Sequence, residues 1–173
     1  MSANLLYIVD GYNVLHAFFD SIASDELADR REWLVERLTG FAALKGARVL
    51  VVFDVHGRRG VTTQRVGGTA VEVSFAGGPY AADALIARRI AEQPADVTVF
   101  VVSADQEVQR TASRAGVHRL TPRELAAELR NPTGTVALPE KSGTLRTQLE
   151  DEVDVETLRK LEQMRTEGRE PDS

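Results

Sequence analysis

The chain has 173 residues, 43% of them hydrophobic, which is enough for one domain with a buried core and a short appendage. It contains no cysteine, which excludes disulfides, thiolate metal sites and thiol chemistry together. The net charge of −5 argues at first against a nucleic-acid partner, but from Asn131 onward there are 6 basic and 10 acidic residues, leaving 15 basic and 16 acidic in Met1–Arg130, so the body is nearly neutral and can carry a local arginine patch.

Leu5 to Val9 is a continuous apolar run ending at Asp10-Gly11, as expected of a strand buried on both faces of a parallel sheet. Five apolar residues without a basic flank are too few for a signal peptide or a membrane span, so the expected location is cytoplasmic. Ser24 reads as a helix N-cap, with Leu27, Leu34, Leu38, Phe41 and Ala42 at helical spacing and Gly46 as the stop. Arg48 to Asp54 is a second buried strand that also ends in aspartate. Val61 to Phe75 is β-rich around Gly67-Gly68, which suits a hairpin or a loop leading into a third strand.

Pro79 fits the first turn of a helix with Ala82, Leu85, Ile86 and Ile90 on one face, stopped near Pro94. Val97 to Val102 is the most β-branched run and predicts a fourth strand. Ser103-Ala104-Asp105 leads from it into a helix with Val108 and Ala112 inward, ending at Gly116. Val117 to Leu120 predicts a short edge strand, and Thr121-Pro122-Arg123-Glu124 has the capping-box form ahead of a helix through Leu125 and Leu129. Alternating strands and helices imply right-handed crossovers and an α/β sandwich with a mainly parallel sheet over residues 1–130. Residues 131–143 read as a Pro/Gly-rich linker. In 144–173, Leu145, Leu149, Val153, Leu158, Leu161 and Met164 line one side of an acidic C-terminal helix, with a disordered end from Arg169.

Asp10, Asp54 and Asp105 all stand at the carboxyl ends of expected strands, and in an open parallel sheet those ends share one ligand-binding edge. Asp83, in the first turn of the helix before the fourth strand, joins them. Crowded carboxylates need a cation, and oxygen-only ligands select Mg²⁺ or Mn²⁺ over zinc. Such a site suits phosphodiester hydrolysis. Each aspartate alone also reads as an N-cap or turn residue, and a phosphoacceptor pocket has the same outline, so spacing alone leaves these alternatives open.

Four blocks go further: Val9 to Leu15 (VDGYNVL), Val52-Phe53-Asp54, Ala82 to Ile86 and Val102 to Gln109. In this order they resemble the YacP-like branch of the NYN domain family, from Leu5 to about Leu129. The resemblance implies a PIN-like three-layer fold and divalent-metal RNA cleavage, with bacterial relatives acting on ribosome-associated mRNA. Asp10, Asp83 and Asp105 match the family's metal-binding aspartates, Asn13 its motif asparagine and Asp54 an acidic position at the second strand end. Many relatives have an acidic residue shortly before the helix aspartate, where this chain has Pro79-Tyr80-Ala81, so one ion fits the pattern as well as two.

Arg58 and Arg59 lie in a glycine-flanked loop after Asp54, and Arg65 follows in the same region; as RNA-binding residues they would pair with phosphates. Arg88, Arg89, Arg110 and Arg114 read as solvent charges on helix faces, and Tyr12 as core or rim packing. The expected function is metal-dependent endonucleolytic cleavage of RNA, with Asp10, Asn13, Asp83 and Asp105 catalytic. A competing reading keeps the fold as an RNA- or ribosome-binding module without productive catalysis. The absence of a second aspartate two residues after Asp10 weighs against an aspartyl-phosphate phosphatase, and no P-loop motif is present.

Overall fold

The computed structural model describes residues 4–111 and 116–132, all within a compact unit spanning Met1–Gly134. The linker beyond Pro132 and the expected C-terminal helix lie outside the described residues, as does Ala112.

Six strands form one sheet in the order β3-β4-β2-β1-β5-β6. They are β1 (Leu5–Asp10), β2 (Arg48–Val55), β3 (Gly60–Arg65), β4 (Val71–Gly77), β5 (Thr98–Val102) and β6 (Val117–Leu120). All neighbours pair in parallel except β3, which returns antiparallel along β4. The helices are α1 (Gly11–Phe18), α2 (Leu27–Lys45), α3 (Ala81–Ala91), α4 (Gln106–Thr111) and α5 (Pro122–Arg130).

The apolar runs look continuous in sequence because both faces of the sheet are covered, and strand alternation divides them between two cores. Tyr7, Val9, Val49, Val51, Phe53, Phe100 and Val102 pack on one face with residues of α1, α2 and α5. Leu6, Ile8, Leu50, Val52, Val99 and Val101 pack on the other with residues of α3 and α4. This is the three-layer α/β sandwich expected from the sequence.

Several local expectations also meet the structure. Gly46 closes α2 in a left-handed conformation (φ 62°), and Thr121 and Glu124 form the reciprocal capping box of α5. Val61 to Phe75 resolves into the hairpin of β3 and β4. Two details differ. Ser24 does not cap α2: the helix begins at Leu27 with Glu26 as N-cap, and a turn occupies the preceding residues. Pro79 lies just outside α3, whose N-cap is Tyr80.

The larger correction is α1, which sequence patterning does not announce. It starts directly after β1 with no connecting loop, and the Asp10 side chain caps it by accepting the backbone N–H of Asn13 at 3.3 Å. Val14 and Leu15 bury its inner side.

Candidate active site

β1 is the central strand, with β2 and β4 on one side and β5 on the other, so strand order reverses beside it. Its carboxyl end is therefore the topological switch point of the sheet. A cleft of about 570 Å³ opens there, lined by Asp10, Asn13, Asp54, Asp83 and Asp105 together with Tyr12 and Tyr80. The structure thus brings all four aspartates singled out in the sequence, and the motif asparagine, to one place.

Each is delivered by a different element. Asp10 ends β1 and caps α1. Asp54 is an exposed residue near the end of β2, Asp83 sits in the first turn of α3, and Asp105 precedes α4, accepting the Glu107 N–H at 2.8 Å. Asn13 stitches two strand ends together. Its amide nitrogen donates to Asp10 Oδ2 at 2.9 Å and to Ser103 Oγ at 3.4 Å. Ser103 is fully buried, and its hydroxyl oxygen also accepts the Asp105 N–H at 3.1 Å. One serine therefore connects the asparagine of α1 with the aspartate after β5. Nothing in the sequence pattern gives it that role.

The electrostatics are one-sided. Burial pushes the Asp10 carboxyl up to about 6, against the lowering effect of its Asn13 hydrogen bond and with further upward pressure from Asp83, Asp105 and Asp54. Asp83 is raised as well, first by burial and then by Asp105, Asp54 and Glu107. Among the described residues no basic side chain forms an ion pair with any of these four aspartates. Nor do three carboxylates stand close enough together to share one ion directly. The donor set is nonetheless all oxygen and uncompensated, which matches the chemistry of Mg²⁺ or Mn²⁺; Mg²⁺ keeps several of its own waters and is commonly bound through one or two carboxylates.

Around the rim, Tyr80 is 83% exposed and, among the described residues, is the sole non-glycine with positive φ (59°). Tyr12 packs edge-on against Phe53 and its hydroxyl accepts a hydrogen bond from Arg31 Nε at 3.0 Å, so it is a rim-packing residue. Arg58 and Arg59 are exposed in the loop between β2 and β3, beside the same edge. Arg65 is not. Its strand runs away from the cleft, and at its far end Arg65 pairs with Glu72 at 3.2 Å, so the structure separates it from the other two arginines. Arg88 is likewise tied to Glu92 at 2.9 Å on the surface of α3.

Replacing Ser103 with Ala should leave the fold intact, at a cost of about 1 kcal/mol, because one hydroxyl bridging two neighbours is lost. It should reduce whatever chemistry Asp105 and Asn13 support about tenfold or more, as for other partners that orient ligands. Paired melting curves and rate measurements would check this; a rate equal to wild type would mean that the bridge is decorative.

Comparisons with known proteins bear on the fold and the family. A protein from Bacillus subtilis (strain 168) described as uncharacterized protein YacP is 27% identical over 128 residues, covering 72% of this chain and 74% of its own. The crystal structure of a tryptophan-to-leucine mutant of Rae1 (YacP) from Bacillus subtilis superposes with a TM-score of 0.58 at 25% identity, covering 73% of this chain and 75% of that one. A second crystal structure of Rae1 (YacP) gives a TM-score of 0.57 at 24% identity, over 90% and 83% of the two chains. The profile of the YacP-like NYN domain matches residues 7–166, past the last sequence block and over most of the chain. The chain belongs to the YacP-like NYN domain family, with its PIN-like nuclease fold.

Proposed function

We propose that this protein is a divalent-metal-dependent endoribonuclease that hydrolyses RNA phosphodiester bonds in the cleft at the end of β1. The observation that carries the proposal is the convergence of four carboxylates in one cleft, with Asp10 raised to about 6 and no basic side chain among the described residues in ion-pair contact with them. A pocket so charged disfavours a phosphate on its own and favours one that arrives with a cation.

Asp10 and Asp105 would hold the ion, with Asp83 completing its surroundings and Asp54 close by. Bound there, Mg²⁺ or Mn²⁺ supplies an activated water and neutralises the charge that develops on the phosphate. The protein's own residues do the rest. Asn13 keeps the Asp10 carboxylate in one orientation and ties it to the β5 end through Ser103. Asp83, in the first turn of α3, would complete the ion's surroundings or position a water at the open side of the cleft. Arg58 and Arg59 bind backbone at the same edge. Ribosome-associated mRNA would be the setting in which the substrate is met, and a comparison of free with ribosome-bound transcripts tests that separately.

The direct test is cleavage of a single-stranded RNA in Mg²⁺ or Mn²⁺ against EDTA. Cleavage should require the cation, and millimolar Mn²⁺ should raise the melting temperature by mass action. A metal-independent RNase activity would overturn the metal assignment. RNA binding with no cleavage of free or ribosome-bound RNA would favour a pure binding module.

A further inference from the structure

A second cavity, of about 360 Å³, lies beside the carboxylate cleft and has the opposite character. Arg31, Arg58 and Arg59 line it, with Thr62 and Gln64 from β3 and Phe75 from β4, and no carboxylate contributes. The two hollows share a wall. Asp54 faces the cleft while the next residue, Val55, faces this pocket, and Tyr12 of the cleft takes the hydrogen bond of Arg31.

Arg31 is the unusual member. It projects from α2 and is half-buried. Its Nε is fixed on the Tyr12 hydroxyl, and its guanidinium carbon lies 5.8 Å from the centroid of the Phe75 ring, 5.9 Å from Tyr12 and 6.0 Å from Phe53. Aromatic faces stabilise the charge but satisfy none of its in-plane donors. No carboxylate pairs with it among the described residues, so its remaining N–H groups are available to the pocket. A guanidinium held in this way presents a planar fork suited to two oxygens of one phosphate. The loop with Arg58 is seated rather than loose, because Gly77 has no side chain and the Arg58 carbonyl fills the space a Cβ would need.

We propose that Arg31, with Arg58 and Arg59, forms a phosphate-binding subsite that anchors an RNA strand one step away from the carboxylate cleft. The inference rests on the reading of that cleft as the RNA-cleaving site. Neighbouring phosphates of one strand would then meet opposite surroundings: an arginine cage for the anchored group, and carboxylates with a cation for the one to be cut. Phe75 at the pocket wall offers an apolar surface to the attached ribose. Nothing in the sequence pattern singles out Arg31, and only the packing of α2 against β2 and β4 reveals it.

The experiment is a methylphosphonate scan, in which the phosphates of a short RNA are made neutral one at a time and binding is measured with the full chain. For the wild type, one position should weaken binding at least about tenfold, the scale of a lost charge-assisted contact. In Arg31→Gln the penalty at that position should largely vanish, because the partner is already gone, while Arg31→Lys should keep part of it. Arg88→Gln, on the outer face of α3, should reproduce the wild-type scan. A scan of 5′-phosphorylated against 5′-hydroxyl RNA tells a backbone phosphate from a terminal one; either source supports the subsite.

Melting curves exclude simple misfolding of the Arg31 variants. If the position-specific penalty is the same size in Arg31→Gln as in wild type, or no position stands out, the subsite is wrong even though cleavage proceeds. A subsite that scans as expected in a protein that never cleaves RNA would overturn the proposed activity and leave this inference standing.

Discussion

Asp10→Asn should lower RNA cleavage at least a hundred- to thousandfold, roughly the loss from removing one preorganised charged group at a reacting centre, while the unloaded protein becomes more stable. The two effects have one cause. Burial and three neighbouring carboxylates lift Asp10 to about 6 in the folded chain, whereas in the unfolded chain it titrates near its ordinary value. Between those values the native state holds more protons than the unfolded state, so stability falls as pH rises through the window and stays reduced above it. The penalty is about 2 kcal/mol once solvent screening at the cleft is allowed for.

Asn carries no charge and still caps α1, so the variant should melt about 4 °C higher than wild type at pH 7.5 without metal. The difference should close toward pH 4.5. Added Mn²⁺ should stabilise wild type more than the variant. Paired rate assays and melting curves across pH check this. A variant that cleaves like wild type would remove Asp10 from the chemistry, and a pH-independent melting difference would remove the electrostatic account.

Gly11→Ala is expected to be a strongly damaging single-methyl change. A Cβ at Gly11 would run into the ring of Phe53, which is fully buried, stacked on Phe75 at 5.8 Å and edge-on to Tyr12 at 5.4 Å. That ring has no free direction in which to retreat, so the strain falls on the start of α1. Overpacking of this kind costs about 1–3 kcal/mol or more. Because α1 carries Tyr12 and Asn13 and is capped by Asp10, activity should fall with stability. Combining it with Phe53→Leu should recover part of both, since the collision is removed, and the double variant should be better than additive. A Gly11→Ala protein that melts and cleaves like wild type would show that the ring can move after all.

This contact also explains which parts of the molecule could be read from the chain. The strands were legible because Leu6–Val9, Val49–Phe53 and Val99–Val102 are buried on both faces and so appear as unbroken apolar runs. The aspartates at their ends were legible because parallel strands put like ends together. Helix α1 was hidden because Asp10-Gly11 looks like the turn after a strand, although the same two residues are the cap and first turn of a helix. The glycine there serves the Phe53 ring, which only the pairing of β1 with β2 brings near.

Ser103 and Arg31 were silent for a related reason. A serine after a strand and an arginine on a surface helix are ordinary until register and helix packing decide what they face. Arg65 is the converse case. It is close to Arg59 in number, but six residues of extended strand carry the chain roughly 20 Å, here away from the cleft.

The position of β1 has a consequence for how the molecule comes into being. Among the strands of this sheet the first to be synthesised is the central one, and its second neighbour, Thr98–Val102, follows about ninety residues later. At typical rates of translation that is an interval of roughly 5–20 s, during which one apolar edge of β1 has no native partner. Ser103 and Asp105 arrive only after that edge closes. A growing polypeptide therefore carries Asp10 and Asn13 long before it has a finished cleft, and a fragment ending before residue 98 lacks Ser103 and Asp105 altogether.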